Sequence, residues 1–267
     1  LESYPAGLLD RVENALTEAR AVFTRFDRVD IQEMVKTGGD PVTVVDLEID
    51  SVLRGSLLGE GEGWLSEETA DSAQRLDCEL VWIVDPLDGT REFIEGLPEY
   101  CTSVAAVTGG RPIAGGVLNP AADLLITGAA GLGVRCNGEA TTPLRADSLS
   151  ELRVLASRSE WRRGQWGVVE AAGIEVVPMG SVAYKMARVA AGLDHATWTP
   201  VPKHEWDVAG GAALLAAAGG QTLTIDAEPM SFNQEKPWLS GAIAVPPGFD
   251  VHLPVVRDLI RMQVANG

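Results

Sequence analysis

The stretch Trp82-Ile83-Val84-Asp85-Pro86-Leu87-Asp88-Gly89-Thr90-Arg91-Glu92-Phe93 decides how the chain reads. The apolar run Val81 to Val84 suits a buried strand. Two aspartates follow, Asp85 and Asp88, with Pro86 between them. The ring of Pro86 disfavours a helical backbone at Asp85, which predicts a tight loop carrying both carboxylates at the end of the strand. From such a loop both can face one cation, and the Leu87 carbonyl can turn the same way. Hard divalent cations take oxygen ligands of this kind, and Mg²⁺ keeps positions open for water and substrate phosphate. Thr90 suits the N-cap of a helix beginning at Arg91, and the free N–H groups of a helix start attract an anion. Strand, carboxylate loop and helix start together predict a metal–phosphate site. Asp, Pro and Gly are also common turn residues, so Asp-x-x-Asp alone would mark only a strand-to-turn connection.

The ungapped run Asp85-Pro86-Leu87-Asp88-Gly89-Thr90 resembles the signature Asp-Pro-[Leu/Ile]-Asp-Gly-Thr of the inositol monophosphatase superfamily. That family contains Mg²⁺-dependent, lithium-sensitive phosphomonoesterases. Three further segments resemble it in the same order. Upstream, Lys36 precedes the turn Gly38-Gly39-Asp40-Pro41, then Val42-Thr43 and Asp46. Glu67-Glu68 resembles the Glu-Glu pair that ends a strand before the signature in that family. Downstream, Glu205-Trp206-Asp207-Val208-Ala209-Gly210-Gly211 is similar to the second signature, Trp-Asp-x-Ala-[Ala/Gly]-Gly. The resemblance runs from Lys36 to Gly211 and so covers most of the chain.

The resemblance implies the layout of a site. Glu67, Asp85, Asp88, Asp207 and the Leu87 carbonyl would hold two or three Mg²⁺. Asp46 and Thr90 would orient the attacking water, and the N–H groups of Gly89 and Thr90 would bind phosphate oxygens. Lys36 would lie near the metals. Glu68 would act indirectly. Taken alone, Asp46 and Asp207 each read as a helix N-cap, and Lys36 as a solvated loop lysine. The implied chemistry is phosphomonoester hydrolysis without a covalent phosphoenzyme, a reaction that rests on positioning and charge neutralisation.

Three features lean toward a nucleotide substrate. The continuation Arg91-Glu92-Phe93-Ile94 resembles that of 3′(2′),5′-bisphosphate nucleotidases, and Glu205 precedes Trp206-Asp207 as in those enzymes. Gly180-Ser181-Val182-Ala183-Tyr184-Lys185 is similar to their Gly-Ser-x-x-x-Lys segment, where the lysine meets a substrate phosphate. Substrate contacts are therefore expected from Gly89, Thr90, Gly180, Ser181, Lys185 and Glu205. The expected reaction removes the 3′-phosphate of 3′-phosphoadenosine 5′-phosphate. Pro200 stands where the inositol enzymes carry a sugar-binding Glu. Arg91 and Gly96-Leu97-Pro98 also resemble histidinol phosphatases, so inositol 1-phosphate and histidinol phosphate are the alternatives. A reading of a different class is a non-catalytic metal- or nucleotide-binding relative. The intact set Asp46, Glu67, Asp85, Asp88 and Asp207 argues against it.

Composition narrows the partners. The 267 residues carry a net charge of −17, from 38 acidic and 21 basic side chains. A nucleic-acid polymer needs a basic face and is excluded as partner; a small phosphorylated metabolite is not, because metal ions invert the charge of an acidic site. No run of about 18 apolar residues predicts a membrane span. The three cysteines, Cys78, Cys101 and Cys136, form no disulfide pattern and fit a reducing compartment, the cytoplasm. The family resemblance is compatible with a homodimer.

The fold that the resemblance implies is a layered αβαβα sugar-phosphatase fold: an α+β half over 1–145 and an α/β half over 146–267, with the metal site at their junction. Apolar spacing predicts a long helix over 7–27 and another from Asp46 to about Leu58. Strands are expected at 42–45, 104–107, 113–117 and 124–127, continuing as an antiparallel meander through the glycine-rich 128–138. Beyond the polar 143–152 stretch, strands near 154–156, 175–177, 196–198, 222–225 and 241–245 alternate with helices over 166–172, 182–192, 208–218 and from 251.

Overall fold

A computed structural model describes residues 3–26, 33–35 and 41–265. In chain order the helices are α1 (Ser3–Phe23), α2 (Val44–Leu57), α3 (Thr90–Ile94), α4 (Arg158–Arg162), α5 (Gly167–Ala171), α6 (Val182–Ala190), α7 (Glu205–Ala217) and α8 (Leu253–Ala265). The strands of the N-terminal half are β1 (Glu33–Val35), β2 (Pro41–Thr43), β3 (Gly63–Ser66), β4 (Leu80–Asp88), β5 (Cys101–Thr108), β6 (Arg111–Asn119), β7 (Leu124–Ala129), β8 (Gly133–Cys136) and β9 (Glu139–Ala140). Those of the C-terminal half are β10 (Arg153–Ser157), β11 (Glu175–Met179), β12 (Ala196–Thr199), β13 (Lys203–His204), β14 (Gln221–Leu223), β15 (Trp238–Leu239) and β16 (Ala242–Val245). No helix among the described residues is long and apolar enough to cross a membrane.

Two main sheets organise these elements. The first runs β3-β4-β5-β6-β7-β8-β9; β3 lies parallel to β4 and the rest form the antiparallel meander. The second has the order β11-β10-β12-β16-β14, with β10 parallel to both β11 and β12, and β16 antiparallel to its neighbours.

Side-chain alternation explains the layering. Along β4, Trp82 and Val84 pack with Leu16, Val45, Ile49 and Leu53 of α1 and α2. Val81 and Ile83 point the other way, toward α6 and α7. Period-two alternation on a strand buried on both faces produces this division. The second sheet repeats the pattern. Ala242 and Ala244 of β16 join the α6/α7 layer, while Ile243 and Val245 join Trp166, Trp198 and α8 residues Val256, Leu259 and Ile260. Five layers result, α-β-α-β-α. The small residues of α7 let it seat closely: a Cβ on Gly210 would lie 2.2 Å from Ser103 Oγ, and one on Gly115 would lie 2.6 Å from Ala213 Cβ.

Several boundaries differ from expectation for local reasons. The strand does not end with the apolar run at Val84; β4 continues through Asp88, with a register shift between Asp85 and Asp88 where the strand bulges. Thr90 is not an N-cap. Gly89 holds that place with φ +96°, and Thr90 is the first residue of a five-residue helix. β2 stops at Thr43, which caps α2 through its side chain, so Asp46 is the third residue of α2 and no cap either. The first helix ends at Phe23, whose ring packs 6.1 Å from Phe93 and 5.9 Å from Tyr100, centroid to centroid. That aromatic cluster fixes α3, and with it the loop carrying Asp88. Lys36 and the turn at 38–40 lie outside the described residues.

Candidate active site

The carboxylates converge where the ends of β3 and β4 meet the start of α7. Asp85 still pairs opposite Ser103 in the ladder, and its Oδ1 accepts a 3.0 Å hydrogen bond from Leu87 N. It is fully buried, and Oδ2 meets no hydrogen-bond donor among the described residues. Glu67 follows β3 directly, and its N–H donates to Val84 O at 3.4 Å. Asp207 is the third residue of α7, and its Oδ2 accepts from His204 N at 2.9 Å. One carboxylate oxygen from each of Glu67, Asp85 and Asp207 lies within 4.8 Å of the others.

So many carboxylates cannot all stay ionised cheaply in so dry a place. Burial first, and then the charges of Glu67, Asp88, Asp207 and Asp46, raise the Asp85 carboxyl well above the usual range. Burial, followed by Asp88 and Glu67, pushes Asp207 up to about 7. An unpartnered oxygen beside two further carboxylates is a donor set that fits a hard divalent cation. Glu67, Asp85 and Asp207 are the residues this geometry offers for it.

Asp88 is turned elsewhere. Its Oδ2 accepts from Ser181 Oγ and from Ala183 N, both at 2.7 Å, and so ties the first sheet to the start of α6. Ser181 has φ +54°, the left-handed region, and also accepts from Tyr184 N at 3.0 Å. Gly180 N donates to Glu99 Oε2 at 2.7 Å, and Glu99 in turn pairs with Arg158.

Asp46 and Thr90 do meet. Asp46 Oδ2 accepts from Thr43 N at 2.8 Å and Thr43 Oγ1 at 2.5 Å, leaving Oδ1 for Thr90 Oγ1 at 3.1 Å. The Thr90 hydroxyl also lies 3.0 Å from the Leu87 carbonyl. Burial raises the Asp46 carboxyl despite these bonds.

A cavity of about 560 Å³ opens over this centre. Glu67, Leu87, Asp88, Gly89, Thr90, Gly180, Ser181, Lys185 and Asp207 all line it. The Lys185 ammonium, buried, donates to Ser181 O at 2.9 Å and Met179 O at 3.3 Å. Burial lowers its pKa to about 8 against the pull of Asp88.

Glu205 does not line the cavity, which corrects the expectation of a substrate contact. It is fully buried, and its two oxygens accept from the backbone N–H groups of Asn233 at 2.6 Å and Gln234 at 2.9 Å. A carboxylate saturated in this way is a clamp on the 233–234 loop. Sequence reasoning also passed over lining residues. Lys203 and His204 sit just before the second signature, where an unusual cation and an aromatic were visible. Trp238 and Arg158 also line the cavity and carried no local signal. Trp238 arrives by pairing of β15 with β13.

Comparison with known proteins agrees with this architecture. Residues 8–252 match the Inositol monophosphatase family. An inositol-1-monophosphatase of Mycobacterium leprae is 33% identical over 237 residues, spanning 78% of this chain and 80% of the relative. Among solved structures, Mycobacterium tuberculosis SuhB superposes with a TM-score of 0.74 at 30% identity, covering 97% of each chain. The extragenic suppressor protein suhB of Bartonella henselae gives a TM-score of 0.80 at 23% identity, covering 96% of this chain and 98% of that one. The chain belongs to the inositol monophosphatase family, a family of metal-dependent phosphatases acting on small phosphorylated metabolites.

Proposed function

We propose that this chain hydrolyses phosphomonoesters of small metabolites with Mg²⁺. One observation carries the reading: Asp85 Oδ2 lies buried without a donor among the described residues, beside Glu67 and Asp207, under a cavity lined by Thr90, whose hydroxyl is bonded to the buried Asp46. Glu67, Asp85 and Asp207, joined by Asp88 and the Leu87 carbonyl, would hold the ions. When bound, Mg²⁺ neutralises phosphate charge and lowers the pKa of a water.

The chain's own groups supply the rest. A threonine hydroxyl has one proton and two lone pairs. With that proton in a hydrogen bond to Asp46 Oδ1, Thr90 Oγ1 can accept a hydrogen bond from a water, aim the water at phosphorus and receive its proton as it attacks. Asp46 then takes the proton that Thr90 passes on. The N–H groups of Gly89 and Thr90, at the cavity wall, would meet phosphate oxygens.

The names of the relatives favour inositol 1-phosphate as substrate. The reading as a 3′(2′),5′-bisphosphate nucleotidase keeps Lys185, which reaches the cavity, and loses Glu205 as a contact. The test is phosphate release with Mg²⁺, with and without lithium, from inositol 1-phosphate, 3′-phosphoadenosine 5′-phosphate and histidinol phosphate. Lithium-inhibited turnover of at least one substrate is expected. Mg²⁺ binding with no release from any of them would overturn the enzymatic reading in favour of a binding protein.

A further inference from the structure

His204, Trp206 and Trp238 line the same cavity as the carboxylates and lie against one another at its wall. The His204 and Trp206 rings are 4.2 Å apart, centroid to centroid, and only 7° from parallel. Trp238 approaches His204 at 3.8 Å with a 40° tilt. The placement is held from below. His204 pairs with Trp238 across β13 and β15, and Glu205 N donates to Pro237 O at 3.0 Å. Yet Trp238 is 58% exposed, an unusual state for a large aromatic in a fixed position at a cavity.

Rings stacked nearly parallel do not form a cage, because a cage for a quaternary ammonium sets ring faces around one point. Trp238 covers this pair at a 40° tilt and presents an exposed ring on which another flat ring can lie. Such stacking tolerates many ring structures, because it reads the π-face rather than particular donors and acceptors. A cyclitol has no π-face. The cavity volume, about 560 Å³, is within the range that takes a ligand larger than a phosphate and one sugar ring.

We propose that Trp238, backed by His204 and Trp206, is a specificity surface that stacks a planar heteroaromatic group on the alcohol side of the phosphomonoester. Of the substrates already weighed, such a surface favours the two that carry a heterocycle, 3′-phosphoadenosine 5′-phosphate and histidinol phosphate. This inference rests on the phosphomonoesterase reading for its chemistry and on the aromatic stack alone for its selectivity.

The test compares wild type, Trp238→Ala and Trp238→Phe. Because Trp238 is exposed, neither substitution empties the core. Adenosine, which carries the ring and no phosphate, is titrated into each while tryptophan fluorescence is followed. Then kcat/KM is measured with Mg²⁺ for adenosine 3′-phosphate and for inositol 1-phosphate. Expected are a saturable fluorescence change with adenosine in wild type and its loss in Trp238→Ala. Expected too is a roughly tenfold fall in kcat/KM for the adenosine ester, mainly through KM, of the size one base–aromatic stack supports. Inositol 1-phosphate should change less than about twofold on the same argument, and Trp238→Phe should restore most of the loss. Equal effects on both substrates, or no adenosine binding by wild type, overturn the proposal while leaving phosphatase activity standing. Adenosine binding that depends on Trp238, with no phosphate released from either ester, 3′-phosphoadenosine 5′-phosphate or histidinol phosphate, would overturn the phosphatase reading and keep the stacking surface.

Discussion

Asp85 is held where its charge is unwelcome unless a cation joins it. Replacing it with Asn removes one ligand and is expected to lower kcat by about a thousandfold or more. The fold should survive, because the amide occupies the same space. Far-UV circular dichroism alongside phosphate release checks both halves of that statement. Asp207 gives the pH dependence. Its folded pKa, about 7, exceeds the usual aspartate value. Metal-free folded protein therefore holds a proton that the unfolded chain has already released. Stability from this group is fully present below about pH 4 and is lost as pH rises toward 7. Thermal melts of metal-free protein should show a Tm falling across that window. Mg²⁺ should raise Tm at pH 7.5, as ligands of the folded state do, and the increment should shrink sharply in Asp207→Asn. A Tm rising steadily from pH 4 to 7 without metal would contradict the assignment. Thr90→Ala should lower kcat by roughly a hundredfold, with KM little changed, since the hydroxyl acts on the water. At this scale the sequence was informative wherever residue type and spacing carry the chemistry. The six-residue signature and the Trp-Asp motif identified residues that the fold does bring together. Glu205 misled because motif adjacency says nothing about which way a side chain turns, and its carboxylate turns toward the 233–234 loop.

Elements hold the centre through a few polar ties as well as apolar packing. Glu62 is the clearest. It accepts from Arg11 of α1 at 2.6 and 2.8 Å, from the Trp82 indole of β4 at 2.8 Å, and from Gly59 N at 2.8 Å. Burial would raise its pKa, but these bonds outweigh burial and hold it at about 2. Its contribution is present above about pH 4.5 and is lost as pH falls toward 2, the usual direction for a carboxylate with partners. Glu62→Gln should cost about 2 kcal/mol at pH 7, the scale of hydrogen bonds to a charged group. The deficit should vanish near pH 2, and urea unfolding at both pH values measures it. Most strands and long helices could be read from periodicity, because β4, β5 and α1 have regular apolar spacing. Ends could not. Where α1 stops depends on Phe23 meeting Phe93 and Tyr100, contacts between residues far apart in the chain. The β13–β15 pair was missed for the same reason: its strands, of two residues each, have no local pattern to detect.

The molecule as a whole interleaves its two halves. α6 and α7 come from the C-terminal half, yet they pack against β4 to β7 of the first sheet and share one core with it. Asp88 grips α6 across the same boundary. A polypeptide tied in this way should unfold in one cooperative transition. Calorimetric and van't Hoff enthalpies should agree for metal-free protein; two resolved transitions would instead give the halves separate stability. The α/β alternation of the C-terminal half was readable from the order of strand and helix patterns, whereas the layered architecture followed from the resemblance of the signatures. How the layers nest was not, because only the shape of facing surfaces decides it, as the close approach of Gly210 to Ser103 illustrates.

The loop between β14 and β15 is pinned at Asn233 and Gln234, where Glu205 takes the N–H groups while buried Arg75 reaches Asn233 Oδ1 and Gln234 O. Trp238 lies just beyond that anchor, on the cavity rim. Mutational drift at the rim can therefore change which alcohol is accepted without disturbing the anchor or the hydrolytic carboxylates.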